Sequence, residues 1–204
     1  MSNHKTLVDP PPLAANYFSE VTQNDMISFA WYKQLTDYLR PTVNNGTAGD
    51  GVVAEEYGDA NQHTTVLTLT GAELSPTIPA NAEGAGAVVY TFPAGVFVIN
   101  AIHMDITSGV MDSATNAADV GIGSVIASGD IATLTPSTME DYITGQTVAD
   151  VSSFVVEKSA APFKLFEAGD SHTMNFNVAA TWNSTVATAS VTGTITFNWI
   201  FLGA

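Results

Sequence analysis

The sequence predicts an all-β protein: a jelly-roll-like antiparallel β-sandwich with an N-terminal extended arm and one α-helix. Three observations carry that expectation. In the last sixteen residues, Ala189-Ser-Val-Thr-Gly-Thr-Ile-Thr-Phe-Asn-Trp-Ile-Phe-Leu-Gly-Ala204, the residues Val191, Ile195, Phe197, Trp199 and Phe201 fall on odd positions, with Thr192, Thr194, Thr196 and Asn198 between them. A period of two gives a long strand one buried face and one polar face. Leu202 breaks the alternation where a wet face would end. From residue 63 onward, seven or eight such runs recur between turn residues, the spacing of a sandwich or jelly roll. Finally, charged residues make up only 12% of the chain, against about 25% in ordinary soluble domains. Thr, Ser, Asn, Ala and Gly replace them, and these suit strands and tight turns.

The elements follow in order. Residues 1–23 read as an extended arm, because Pro10, Pro11 and Pro12 forbid helix and favour a polyproline conformation. Leu7, Val8, Leu13, Tyr17 and Phe18 give the arm apolar anchors that a solvated tail does not need. Residues 24–40 read as a helix. Ile27, Trp31, Leu35, Tyr38 and Leu39 recur at helical spacing, Thr22 or Asn24 can cap the start, and Pro41 ends it. Its aromatic residues pack on the sandwich or dock on a neighbouring subunit. Residues 41–62 read as a linker, with turn chemistry at Asn44-Asn45-Gly46 and Gly49-Asp50-Gly51 and solvating charge at Glu55, Glu56 and Asp59.

Strands are expected at 64–70, 87–92, 96–107, 120–127, 151–157, 173–180 and 188–202, with long polar loops at 108–119 and 128–150. The organisation is therefore an arm, helix and linker at 1–60 and a sandwich domain at 61–204. The expected core is Val66, Leu67, Leu69, Val88, Tyr90, Ile102, Met104, Ile106, Ile195, Phe197, Trp199 and Phe201. The candidate interface residues are Leu13, Tyr17, Phe18, Trp31 and Tyr32.

Composition narrows the function. The net charge is −15, with a single arginine, Arg40, and four lysines. Binding to phosphate backbones requires Lys and Arg, so a nucleic-acid partner is not expected, nor is an anionic membrane surface. Such acidity keeps a β-rich, charge-poor protein soluble before assembly. With no cysteine there is no disulfide framework and no thiolate metal site. The N-terminus lacks the apolar stretch of a signal peptide and no run of apolar residues is long enough to span a bilayer, so assembly inside the cell is expected.

The motifs for chemistry are weak. Gly121-Ile-Gly123-Ser-Val-Ile126 begins like a dinucleotide fingerprint, but Ile126 occupies a small-residue position and no helix pattern follows. No nucleophile elbow, Walker A loop, zincin helix or EF-hand pattern occurs. His103 and Asp105 share a strand face and His172 begins another strand, a conceivable two-His-one-carboxylate set. Asp105, Asp112, Asn116 and Asp119 could supply oxygen ligands to Ca²⁺. Histidines on the polar face of strands are more often plain surface residues, and polar loop tips look the same without any ion, so no metal or cofactor is expected. Glu55-Glu56 and Glu140-Asp141 are adjacent carboxylates rather than pairs facing across a cleft, so they read as solvated loop charge and the chain as no enzyme.

The stretches TTVLTLTGAELSPTIPA, AVVYTFPAGVFVINAIHMDIT, DVGIGSVIASGDIATLT and TGTITFNWIFLGA together resemble the β-sandwich virion proteins of tailed bacteriophages, in particular small capsid decoration (cement) proteins. The resemblance lies in pattern across the sandwich and includes no short diagnostic motif. It implies a jelly roll, a homotrimer on the outer capsid surface, the major capsid protein as partner, and no catalysis. The chain departs from that pattern in its N-terminal arm and helix, which are expected to tie neighbouring copies together. The competing reading is a receptor- or carbohydrate-binding module of a phage fibre, with Trp182 beside Asn183 as the ring on which a sugar would stack.

Overall fold

The computed structural model describes residues 45–204 apart from 59–60, 80–83, 113, 115–116, 132, 135–137, 168–171, 183–185 and 204. Eleven strands form: β1 (Thr47–Ala48), β2 (Val52–Gly58), β3 (Gln62–Pro79), β4 (Gly84–Thr91), β5 (Val96–Met111), β6 (Ala118–Gly123), β7 (Ile143–Val148), β8 (Phe154–Ala160), β9 (Lys164–Phe166), β10 (Thr173–Ala179) and β11 (Val186–Gly203). No helix occurs among the described residues. The arm expected at 1–23 and the helix expected at 24–40 lie outside them.

The strands build two antiparallel sheets. One has the order β1-β4-β10-β6-β7, the other β2-β3-β11-β5-β8, with β9 as a second partner of β5. Setting aside β1, β2 and β9 leaves β3-β11-β5-β8 facing β4-β10-β6-β7. Eight antiparallel strands divided in that way, with the chain passing back and forth between the sheets, make a jelly roll. The core lies between the sheets, where Leu67, Leu69, Phe97, Ile99, Met104, Ile195 and Trp199 from one meet Tyr90, Val120, Ile122, Phe176 and Val178 from the other. Phe92, Phe97 and Phe166 stack with centroids 4.4 and 4.7 Å apart, and Trp199 meets Phe92 and Phe97 edge-on at 5.6 and 5.9 Å.

Several expectations change. The segment read as a linker carries β1 and β2, which add one strand to an edge of each sheet. Val66 is only half-buried, because Leu67 and Leu69 set the parity of β3 and adjacent residues of a strand face opposite ways. Val88 is likewise half-buried. A register shift opposite Met174 and Asn175 puts Val89 and Tyr90 into the core together. β7 lies inside a segment expected to be loop. The parity of β5 also switches along its length. Phe97 and Ile99 point inward, then Ile102, Met104 and Ile106, with an irregularity in the β11 pairing between Asn198 and Trp199.

Candidate interaction surface

The inner faces of both sheets are filled by core, so surfaces available to a partner must come from the outer faces and edges. The outer face of the β4-β10-β6-β7 sheet is covered along β10 by its own chain. Asn175 and Asn177 point outward from β10, yet both are fully buried. The Asn177 amide donates to the carbonyls of Val125 and Met139 at 2.8 and 2.7 Å, and its Oδ1 accepts from the Ala127 N–H at 2.8 Å. The segment following β6 thus lies across this sheet, with Ala127, Leu134 and Ala179 forming a small satellite core.

The other sheet presents a different face. Along β11, Thr192, Thr194, Thr196 and Asn198 point outward from the core, and the outer residues facing them on β5 and β8 include His103, Asp105, Glu157 and Ser159. At one end this polar surface stops. Leu165 on β9 stands opposite Val98 on β5, which stands opposite Ile200 on β11. Leu202 extends the row at 59% exposure, Leu165 is 55% exposed, and Phe163, two residues before it, is 72% exposed. Phe163 also holds a left-handed backbone, φ 44°, which a bulky residue adopts only under constraint. This end of the outer face is thus uncharged and apolar, and it carries exposed Leu and Phe side chains.

Two polar clusters close the sandwich. On β2, Glu56 accepts hydrogen bonds from the Tyr90 hydroxyl of the opposite sheet and from Thr65 Oγ1 at 2.8 Å, while the Gly46 N–H donates to Tyr90 Oη at 2.8 Å. Burial, then the bond to the Glu56 carboxylate, pushes the Tyr90 phenol far above its ordinary pKa. Buried His63 stacks on Trp199 with centroids 4.0 Å apart, and its Nδ1 lies 3.8 Å from Glu56 Oε2. The Trp199 indole donates to Thr65 Oγ1 at 2.9 Å. Glu55 takes the opposite, exposed face and accepts from Tyr57 at 2.6 Å. Reading both carboxylates as solvated charge therefore holds for Glu55 and fails for Glu56, because strand alternation turns one of them inward.

The second cluster sits at the other edge. Asp141 accepts from the Ser124 N–H at 2.8 Å, from Ser124 Oγ at 2.7 Å and from Lys164 Nζ. Lys164 lies 5.5 and 5.3 Å from the centroids of the Tyr142 and Phe166 rings. Burial first, and the Asp141 charge second, hold the Tyr142 phenol well above its ordinary range. Asp141 is thus built into the sandwich rather than solvated in a loop, while Glu140 accepts from the Gly145 N–H.

The remaining candidates that fall among the described residues do not converge. Leu13, Tyr17, Phe18, Trp31, Tyr32 and Asn116 lie outside the described residues. His103 pairs with Ser159 at 2.9 Å and Glu157 at 4.0 Å, whereas His172 packs on Phe97 and Phe166. Asp119 accepts from the Leu134 N–H at 3.3 Å. No three His, Asp or Glu side chains that could hold a metal ion come together among the described residues. Trp182 is 3% exposed and belongs to the core, so its ring offers no open platform to a sugar. The Gly121–Ile126 stretch runs through β6 into a turn that no helix follows. What the sequence missed most is the Leu165–Val98–Ile200 row, whose one legible sign was the break at Leu202. No family model matches the chain, and no curated protein matches it.

Proposed function

We propose that this chain is a non-enzymatic structural protein of a tailed-bacteriophage virion, a decoration or cement protein that binds the outer shell and stabilises capsomer contacts. It is made in the host cytoplasm and works on the capsid surface. One observation carries the reading: the uncharged apolar end of the outer β2-β3-β11-β5-β8 face, from Leu165 through Val98 and Ile200 to Leu202. A chain of net charge −15 repels its own copies. A row free of charge is where copies can meet at least cost, so this face is assigned to contact between subunits of a homotrimer. The arm residues Leu13, Tyr17 and Phe18, with Trp31 and Tyr32, then engage the neighbouring shell. The resemblance of the sandwich sequence to cement proteins is in keeping with such an assembly. A cement protein acts by adding buried interface across capsomer boundaries, which raises the barrier to opening.

The test is native mass, followed by co-sedimentation with shells of the particles that encode the chain. A trimer that pellets with shells stoichiometrically is expected. Substituting Leu165 and Leu202 together by Ser should give a folded monomer with weakened shell binding. A wild-type monomer that ignores shells would overturn the proposal.

A further inference from the structure

We propose that Lys164 and Asp141 form an intramolecular amide cross-link between the two sheets. Lys164 lies on β9, at the register position of Ile99 on β5, whose neighbour on β11 is Trp199. Ile99 and Trp199 are core residues, so this lysine is carried on the inward face of its sheet. It reaches Asp141, which immediately precedes Tyr142 and β7 on the opposite sheet. The side chains are 33% and 13% exposed, and the Tyr142 and Phe166 rings flank the amine.

Ser124 completes the arrangement. Its N–H donates to Asp141 Oδ1 at 2.8 Å, where negative charge would collect once the amine has added to the carboxyl carbon. Its hydroxyl donates to Oδ2 at 2.7 Å and lies 3.5 Å from Lys164 Nζ. One hydroxyl therefore touches both the nitrogen that must lose protons and the oxygen that must gain them. The step balances from the ion pair itself. Nζ forms a bond to Cγ, the Cγ–Oδ2 bond breaks, and Oδ2 leaves as water with two protons that began on the ammonium group. No oxidant or activated donor is required, and net charge is unchanged. Fixed juxtaposition of amine and carboxyl supplies the effective concentration that such a condensation lacks in dilute solution. A chain without cysteine would thereby acquire a covalent tie between its sheets.

Denaturing mass spectrometry of the full-length protein, aged after purification, decides the matter. The expected mass is that of the sequence less one water, with a branched peptide joining the segments around residues 141 and 164. Lys164→Met and Asp141→Ala should each restore the full mass, and Ser124→Ala should slow the loss. A wild-type chain that keeps its full sequence mass would overturn the cross-link, leaving an ion pair. So would a water loss that persists in Lys164→Met, since Asp50-Gly51 can also dehydrate. The wild-type mass is informative even where a variant fails to fold.

Discussion

At the residue scale, Asn177 shows how one side chain can decide the fate of a whole sheet face. It stands on the outward side of β10, where a polar residue usually meets water, yet it is fully buried and makes three bonds to the backbone of the covering segment. Each net hydrogen bond is worth about 1 kcal/mol, and the backbone groups orphaned by its loss cost more. Asn177→Ala is therefore expected to destabilise the protein by about 3 kcal/mol, read as a lower urea midpoint. Hydrogen exchange should rise first at Ala127, whose N–H loses its acceptor, before the core strands respond. Equal exchange at Ala127 in the two proteins would show that the segment is held by its apolar contacts alone.

At the scale of elements, the sandwich is fastened at its edges by contacts that join one sheet to the other. Glu56 reaches from β2 to Tyr90 on β4, so Glu56→Ala removes a charge-assisted bond and leaves a buried phenol without its acceptor. A loss of about 2–3 kcal/mol is expected, with β2 the first strand to lose protection. The turn that carries the chain from β4 in one sheet to β5 in the other has its own requirement. Gly95 sits at φ 140°, and a Cβ there would run into the Phe201 ring and the Gly203 carbonyl. Gly95→Ala should thus cost more than about 1 kcal/mol, visible as a lower Tm. The long strands β5 and β11 were legible because Ile102, Met104 and Ile106 on one and Ile195, Phe197 and Trp199 on the other have one face to fill and alternate accordingly. β2 and β7 were not. Val-Val-Ala-Glu-Glu-Tyr-Gly reads as solvated charge until Tyr90 appears opposite Glu56, and Ile-Thr-Gly-Gln-Thr-Val has apolar residues only at its two ends. The candidate surface was harder still. Val98, Leu165 and Ile200 are distant in the chain, and only the strand register puts them in one row.

At the scale of the whole molecule, two buried phenols set an alkaline limit on the fold. Tyr90 and Tyr142 are 0% and 2% exposed, and both are pushed far above the ordinary value of 10.0, chiefly by burial. Below pH 10 each is protonated in folded and unfolded chains alike, so neither contributes a pH dependence. Above it, the unfolded chain releases protons that the folded chain retains, and stability falls as pH rises. The slope is about 1.4 kcal/mol per pH unit for each tyrosine, or about 2.7 for the two together. Urea midpoints are accordingly expected to fall steeply above pH 10 in the wild-type protein. Tyr142→Phe should roughly halve that fall, since a phenylalanine has no proton to lose in either state. An unchanged slope in the variant would mean that Tyr142 ionises without unfolding, and that the edge holding Ser124, Asp141 and Lys164 opens locally before the sandwich does.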